Sequence, residues 1–261
     1  MHNGISRAEY ILQELQHHGH IDAEQLSQQL HVNASTIRRD LEKMERQRLL
    51  RRVHGGAVPA DTLSYSAYAD DLTFQKNMEK HGEEKTRIAS AALKLIHPGD
   101  TIALSPGTTT TRLAQALRQS PVSNITVVTN AVNIAMELSG IPEITVTLVG
   151  GLLLPDFFAL VGPLAEQALS QMYVAKAFIG VTGLSLEYGL TGPNQLEALT
   201  HRLTIQRAQQ TIVLADATKI GYVALHSIAP VTTMHTLVTD LSPSNEIINA
   251  LHTLSIHVVS V

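Results

Sequence analysis

The chain has 261 residues, a formal net charge of −4, no cysteine, no tryptophan and only four phenylalanines. That length suits one small domain beside a larger one with an aliphatic core, and the missing cysteines exclude disulfides, thiolate zinc sites and cysteine nucleophiles. No apolar run approaches a membrane span, and the start, with His2, Asn3 and Glu9 before a mixed helix, is not that of a signal peptide, so a cytoplasmic location is expected.

Ile11, Leu12 and Leu15 form an apolar stripe on a first predicted helix that stops near Gly19. Asp22, with Gln25 three residues on, reads as a capping box opening a second helix that buries Leu26 and Leu30. Asn33 stands where the cap of a third helix is wanted. In that helix Ile37, Leu41 and Met44 recur at i, i+4 and i+7 and share one buried face. The opposite face carries Ser35, Thr36, Arg38 and Arg39; hydroxyls there reach phosphate oxygens, and arginines reach phosphates or guanine edges in a major groove. Leu49 to His54 has strand composition and ends at Gly55-Gly56, which suits a hairpin turn and a small wing whose Arg51, Arg52 and His54 flank an adjacent groove.

Helix, helix, basic helix and wing is the order of a winged helix-turn-helix. Between positions 33 and 58 seven cations face three carboxylates, a net of +4 in a chain of −4. An acidic protein with one basic face is expected to bind double-stranded DNA through that face. The alternative for this stretch is a solvated amphipathic helix, which leaves the coincidence of cap, stripe, arginine pair and wing without a reason. His17, His18 and His20 lie beside a turn, and adjacent histidines on a helix end point apart, so no metal site is expected.

Positions 59–82 are polar without a sustained apolar stripe and read as a linker between a DNA-binding domain at 1–58 and an α/β domain at 83–261. From Glu83 a helix runs through Ile88, Ala92 and Leu95, and strands are predicted at 101–104, 125–129, 144–149, 177–181, 211–215, 236–239 and 256–259. Helical segments separate most of them, notably 112–117, 130–138, 194–208 and 245–254. Such alternation implies a sheet covered on both faces, with ligands at the carboxyl ends of its strands. After the strand ending at Leu104 comes Ser105-Pro106-Gly107-Thr108-Thr109-Thr110-Thr111 and then a helix, a loop able to cradle phosphate with amides and hydroxyls. The alternative is a helix cap with surplus threonines. Thr129-Asn130, Gly150-Gly151 and Asp216-Ala217-Thr218-Lys219 mark other strand ends; Lys219 can pair with phosphate and Asp216 with a hydroxyl, or the two are a surface cation and a turn cap.

The pattern Leu30-His31-Val32, Thr36-Ile37-Arg38-Arg39-Asp40-Leu41 and Leu50-Arg51-Arg52-Val53-His54-Gly55-Gly56-Ala57 resembles the DeoR family of bacterial transcriptional regulators. It departs at Arg48, where the family usually has glycine, and at Asn33, where serine is common. The segments Glu84-Lys85, Gly107-Thr108-Thr109, Val128-Thr129-Asn130, Gly150-Gly151, Gly162-Pro163, Phe178-Ile179-Gly180, Gly189-Leu190-Thr191, Asn194, Glu197, Arg202 and Asp216 through Gly221 resemble that family's sensor domain. The resemblance implies a fold similar to ribose-5-phosphate isomerases and a phosphorylated sugar as effector, with no other cofactor. It implies phosphate binding at Gly107, Thr108, Thr109 and Thr110, and a pocket drawn from Asn130, Gly151, Asn194, Glu197, Arg202, Asp216 and Lys219. Glu197 and Arg202, five residues apart on one helix, have a structural ion pair as their alternative. Ser105-Pro106 replaces the family's aspartate and small residue, which removes a hydroxyl acceptor and leaves the identity of the sugar open.

The resulting expectation is a repressor of a carbohydrate-utilisation operon, bound to operator DNA as a homo-oligomer, dimer or tetramer, and relieved by a phosphorylated sugar. An activator or dual regulator stays open, because that sign depends on operator position. An isomerase-like enzyme is the rival class. Residues 178–185 at the comparable strand end hold no carboxylate, so Glu197 or Asp216 are its only available bases, and no enzymatic activity is expected.

Overall fold

Ile37, Leu41 and Met44 are buried on one face of a helix at Ala34–Arg46, as their spacing requires. The computed structural model describes residues 7–18, 20–46, 49–53, 55–59, 72–120 and 122–261. The chain divides into two compact units, at Met1–Ser64 and Tyr65–Val261.

The first unit holds helices α1 (Arg7–His18), α2 (Ala23–Gln29) and α3 (Ala34–Arg46), with strands β1 (Ile21–Asp22), β2 (Leu50–Val53) and β3 (Gly56–Pro59). Asp22 starts α2 as its sequence predicts, its Oδ1 accepting from the amides of Glu24 and Gln25 at 2.8 and 2.9 Å. The core joins Ile11 and Leu15 of α1, Leu26 of α2, the α3 stripe, Leu50 and Ala57. Each fully buried aliphatic side chain is worth roughly 2 kcal/mol, so three on α3 hold that helix on its partners despite its polar remainder. The wing is antiparallel in the order β1-β3-β2. Gly56 pairs with both Val53 and Asp22, and a Cβ there would lie 1.8 Å from the Ile21 carbonyl oxygen, so β1 can close the sheet only over a glycine.

The second unit opens with α4 (Leu72–Glu79) and α5 (Gly82–Leu93). Helix α4 falls inside the stretch expected as linker. Among its described side chains one aromatic anchor stands out, Phe74, buried edge-on to the Phe158 ring at 5.0 Å, and its Asn77 and Met78 carbonyls accept from the Lys85 ammonium and the Arg112 guanidinium. One ring and a pair of carbonyls leave no periodicity to read.

Strands β4 (Thr101–Leu104), β5 (Ile125–Thr129), β6 (Ile144–Leu148), β9 (Val174–Gly180), β12 (Ala208–Leu214), β14 (Thr236–Thr239) and β15 (His257–Ser260) form one parallel sheet in the order β15-β14-β12-β9-β4-β5-β6. All seven lie within a residue or so of a predicted strand, apart from the earlier starts of β9 and β12. Alternate residues feed opposite faces: Ile102, Leu104, Val127, Phe178, Ile212 and Leu214 pack in one cluster, Ala103, Val128, Ala177, Ile179 and Val213 in the other. Helices α5, α6 (Thr108–Arg118) and α7 (Val132–Leu138) supply the first cluster; α8 (Pro163–Ser170), α9 (Gln195–Gln206) and α10 (Glu246–Thr253) supply the second.

Two small antiparallel arrangements were not predicted. Strands β7 (Leu152–Leu154) and β8 (Ala159–Val161) make a hairpin, and β10 (Gly183–Ser185), β11 (Gly189–Gly192) and β13 (His226–Ala229) a three-stranded sheet. At three or four residues each, they carry too few alternations to stand out from loops. Among the described residues no helix is long and apolar enough to cross a membrane.

Candidate DNA interface and ligand cavity

The α3 N-terminus is built by Asn33, whose Oδ1 accepts from the Ser35 amide at 2.9 Å and the Ser35 hydroxyl at 3.0 Å. The Ser35 hydroxyl thus doubles as a partner of the cap while Ser35 stays exposed. Thr36 is half-buried, while Arg38 and Arg39 stand exposed on the face opposite the core. The Arg38 guanidinium lies 3.6 Å from Glu24 across the turn, a solvent-screened pair. Arg39 has no carboxylate partner among the described residues. Arg52 is exposed on β2, and its backbone amide is held by the Glu45 carboxylate of α3 at 2.9 Å, which couples wing to helix. Arg51 also lies in β2, with its side chain outside the described residues; His54 and Arg48 lie outside them altogether.

In the second unit the strand order reverses between β4 and β9: the chain passes outward through β5 and β6, then returns to the other side of β4 and runs out through β12, β14 and β15. A crevice at the carboxyl ends of the two central strands is the expected ligand position in such a sheet. A cavity of about 320 Å³ lies there. The β4 end contributes Pro106, Gly107, Thr108 and Thr109, and the β9 end Gly180, Val181 and Thr182, none of them a carboxylate. Ser105 does not reach the cavity: it is buried, its Oγ accepting from the Gly180 amide at 3.0 Å and donating to the Pro106 carbonyl. The residue that departs from the resembled family pattern is therefore spent on stitching the two strand ends together.

Helix α6 begins directly at the cavity with no side chain capping it and no acid in its first turn. The amides of Thr108 and Thr109 have no intrahelical acceptor and carry the positive end of the helix dipole. Of the predicted effector residues, Gly107, Thr108, Thr109, Glu197, Asp216 and Lys219 line the cavity together.

Five others do not, each held by a structural task. Thr110 is fully buried and its hydroxyl donates back to the Gly107 carbonyl at 3.0 Å. Asn130 donates to the Leu160 carbonyl, tying β5 to β8. Gly151 makes the close backbone approach its sequence suggests, but to β8: a Cβ would lie 2.6 Å from the Val161 carbonyl oxygen. Asn194 caps α9, accepting from the amides of Leu196 and Glu197. Arg202 donates to the carbonyls of Ile228 and Ser227, so the ion pair with Glu197 does not form. Asp216 combines both readings, since it lines the cavity and also caps the short turn at Ala217–Lys219 through the Thr218 amide.

The cavity also holds residues that the sequence reading did not assign, among them His201 of α9 and four from α4, the turn after it and α5. Phe74, Asn77 and Lys80 belong to α4 and the turn after it. Lys85, only 4 % exposed, donates to the carbonyls of Asn77 and Lys80. Burial lowers its pKa to about 8, partly offset by the Asp216 carboxylate and reinforced by Lys219, Arg112 and Lys80, which crowd it with like charge. Its signal was readable: Lys85 shares the buried stripe of α5 with Ile88, Ala89 and Ala92, a cation at a core position.

On α9, burial raises Glu197 to about 7 and lowers His201 to about 4. The two shifts have opposite consequences for stability. Folded Glu197 keeps a proton its unfolded form releases above pH ~4.5, so its contribution is full at low pH and lost as pH rises towards 7. Folded His201 refuses a proton that the unfolded form takes up below pH ~6.5, so its contribution is lost as pH falls towards 4. Between about pH 4.5 and 6.5 the slopes, each roughly 1.4 kcal/mol per pH unit, oppose one another. Relative to the wild type, His201→Gln should show stability falling across that window and Glu197→Gln stability rising. Urea unfolding at half-unit intervals measures this; variants with unchanged pH profiles would mean that neither side chain is held in its disfavoured protonation environment.

A chain that carries both a winged helix-turn-helix unit and an α/β unit with a cationic crevice at its switch point has the make-up of a DNA-binding protein with its own ligand-sensing domain. The family comparison agrees in both units. Residues 7–62 match the family model of the DeoR-like helix-turn-helix domain, and residues 80–241 that of the DeoR C terminal sensor domain. The chain belongs to the DeoR family of transcriptional regulators. It is 35 % identical over 235 residues to the HTH-type transcriptional repressor GlcR of Bacillus subtilis, covering 90 % of this chain and 87 % of the relative. It is 29 % identical over 238 residues to the lactose phosphotransferase system repressor of Staphylococcus epidermidis, covering 91 % and 92 %. Among solved structures it is similar to ribose 5-phosphate isomerase A from Methanocaldococcus jannaschii, at 18 % identity and a TM-score of 0.40, over 54 % of this chain and 55 % of that one.

Proposed function

We propose that this chain is a cytoplasmic homo-oligomeric repressor of a carbohydrate-utilisation operon, released from its operator when a phosphorylated sugar occupies the cavity of the second unit. The observation that carries this reading is the uncapped α6 N-terminus opening into a crevice beside Lys85 and Lys219. Backbone amides, a helix dipole, the buried Lys85 ammonium and the half-buried Lys219 ammonium together suit a phosphate ester better than any neutral ligand. The relatives named as repressors, one of them of a lactose phosphotransferase system, support both the sign and the sugar. No other cofactor is required.

One winged module makes few base contacts, so useful specificity calls for pairing on repeated half-sites. By linkage, an effector that weakens operator binding must itself bind more weakly to the DNA complex by the same factor. The test is fluorescence anisotropy of the full chain on DNA from upstream of its own and neighbouring genes, with and without a panel of sugar phosphates. Release by one ester is the expected result; binding indifferent to every ester would sink the sensor reading. In the same assay Arg39→Ala should cost about 1 to 3 kcal/mol on operator and little on random DNA, because Arg39 is exposed on the recognition face and has no competing carboxylate among the described residues. Equal losses on both DNAs would reassign Arg39 to phosphate contact.

The near-neutral Glu197 at the cavity is the one observation that favours a catalytic reading, since a base poised near pH 7 suits proton abstraction. Incubation with pentose and hexose phosphates decides it: the proposal expects no turnover, and turnover abolished by Glu197→Gln would overturn it.

A further inference from the structure

Glu197 and His201 stand one turn apart on α9, on the same face, and both line the cavity. Their relative exposures are 7 % and 3 %. Among the described residues neither side chain has a hydrogen-bond partner: the Glu197 Oε2 and both ring nitrogens of His201 are buried and unsatisfied. Buried polar atoms are nearly always paired, and leaving such groups unmade is costly. Two unpaired residues side by side, facing one cavity, are therefore a site waiting for a partner. The rest of the cavity shows the contrast, since the Asp216 Oδ1 is occupied by Thr218 and the Lys85 ammonium by two carbonyls.

We propose that the Glu197–His201 face of α9 is the subsite for the uncharged, hydroxyl-bearing end of the ligand, set apart from the α6 end that takes its anion. This rests on the effector reading above and adds the polarity of the bound molecule.

The chemistry follows from the two side chains. A hydroxyl both donates and accepts, so one of a vicinal pair can donate to the Glu197 carboxyl while its neighbour accepts from the single N–H of a neutral imidazole, whose other nitrogen accepts in turn. A carboxylate at that end would face an unpartnered acid, and the one cation of α9, Arg202, is taken up by the Ile228 and Ser227 carbonyls, so phosphorylated sugar acids are disfavoured relative to neutral aldose or ketose phosphates. The site is also selective against truncated ligands. A phosphate lacking the hydroxylated end leaves both residues unpaired, the situation in which polar pockets discriminate most strongly.

The test separates the two ends of the ligand. Inorganic phosphate reports on the α6 end alone, and a panel of hexose and pentose phosphates reports on both ends; binding of each to the full chain is measured by calorimetry. In the wild type the best ester is expected to bind at least about tenfold tighter than inorganic phosphate. In Glu197→Gln that advantage should shrink about tenfold or more, with affinity for inorganic phosphate unchanged within about twofold. His201→Asn carries the same comparison should Glu197→Gln fail to fold. An ester preference kept in both variants, or phosphate and ester affinities that fall together, overturns the assignment of the hydroxyl subsite while leaving the effector reading standing. A wild type that binds neither phosphate nor any ester overturns the effector reading and this inference with it.

Discussion

Gly56→Ala should abolish operator binding and lower the stability of the DNA-binding unit by about 3 kcal/mol or more. The added methyl would sit 1.8 Å from the Ile21 carbonyl oxygen and 2.9 Å from its carbon, contacts with backbone that no rotamer relieves. Strand β1 has to separate, and with it go the pairs Ile21↔Ala57 and Asp22↔Gly56 and the bond from the Ala23 amide to the Gly55 carbonyl at 2.8 Å. Those losses spread, because Ile21 and Ala57 belong to the core beneath the helices and Asp22 is the cap of α2. A unit of this size has little stability in reserve, so a cost of this kind populates its unfolded form. Hydrogen exchange on the full chain should report faster exchange throughout α1 to β3, with α5 to β15 unchanged, and anisotropy should report no operator complex. Wild-type protection in α2 and β3 would mean that β1 is dispensable to the wing.

Lys85→Met should give a protein that binds operator normally and no longer answers its effector. Two of the three ammonium protons hold the carbonyls of Asn77 and Lys80, at the end of α4 and in the turn after it, and the third is left for a ligand in the cavity. The side chain therefore both closes α4 over the cavity and supplies charge to it. Methionine keeps the volume of the stem, so the α5 stripe stays packed beside Ile88 and Ala92, while every charge-assisted bond is lost. A hydrogen bond to a charged group is worth about 1.5 to 3 kcal/mol, which puts the loss of effector affinity at roughly 10- to 100-fold. Titrating the effector against the operator complex measures it directly. Release at wild-type concentrations would remove Lys85 from the site, and a simultaneous loss of operator affinity would show that α4 serves DNA binding as well.

Much of the architecture was legible because it rests on local repetition. The α3 stripe, the Asp22 and Asn33 caps and the seven parallel strands each follow from residues a few positions apart, and each lies within a few residues of where periodicity puts it. The loop Gly107 to Thr109 was legible for the same reason, since a strand, a glycine and a helix start are consecutive. Helix α4 was not, because its described anchors are long-range: the Phe74 ring meets Phe158, 84 positions further on, and its carbonyls meet Lys85 and Arg112. The roles of Asn130, Gly151, Asn194 and Arg202 were equally hidden: each meets a backbone group whose position depends on the folded sheet or on a neighbouring strand, or caps a helix where a pocket residue was expected.

By itself, then, the sequence determined the two-domain order, the basic third helix with its wing, the parallel sheet and the Gly107–Thr109 loop at a strand end, because short-range spacing and composition decide which face of an element is apolar and where it starts and stops. Only the tertiary structure decided which residues share the cavity. Lys85 from α5, Asp216 and Lys219 after β12, and Glu197 and His201 from α9 come from separated parts of the chain, and they meet because the strand order reverses between β4 and β9. That reversal is set by the packing of two apolar faces over one sheet, a property of the whole fold that no window of sequence contains.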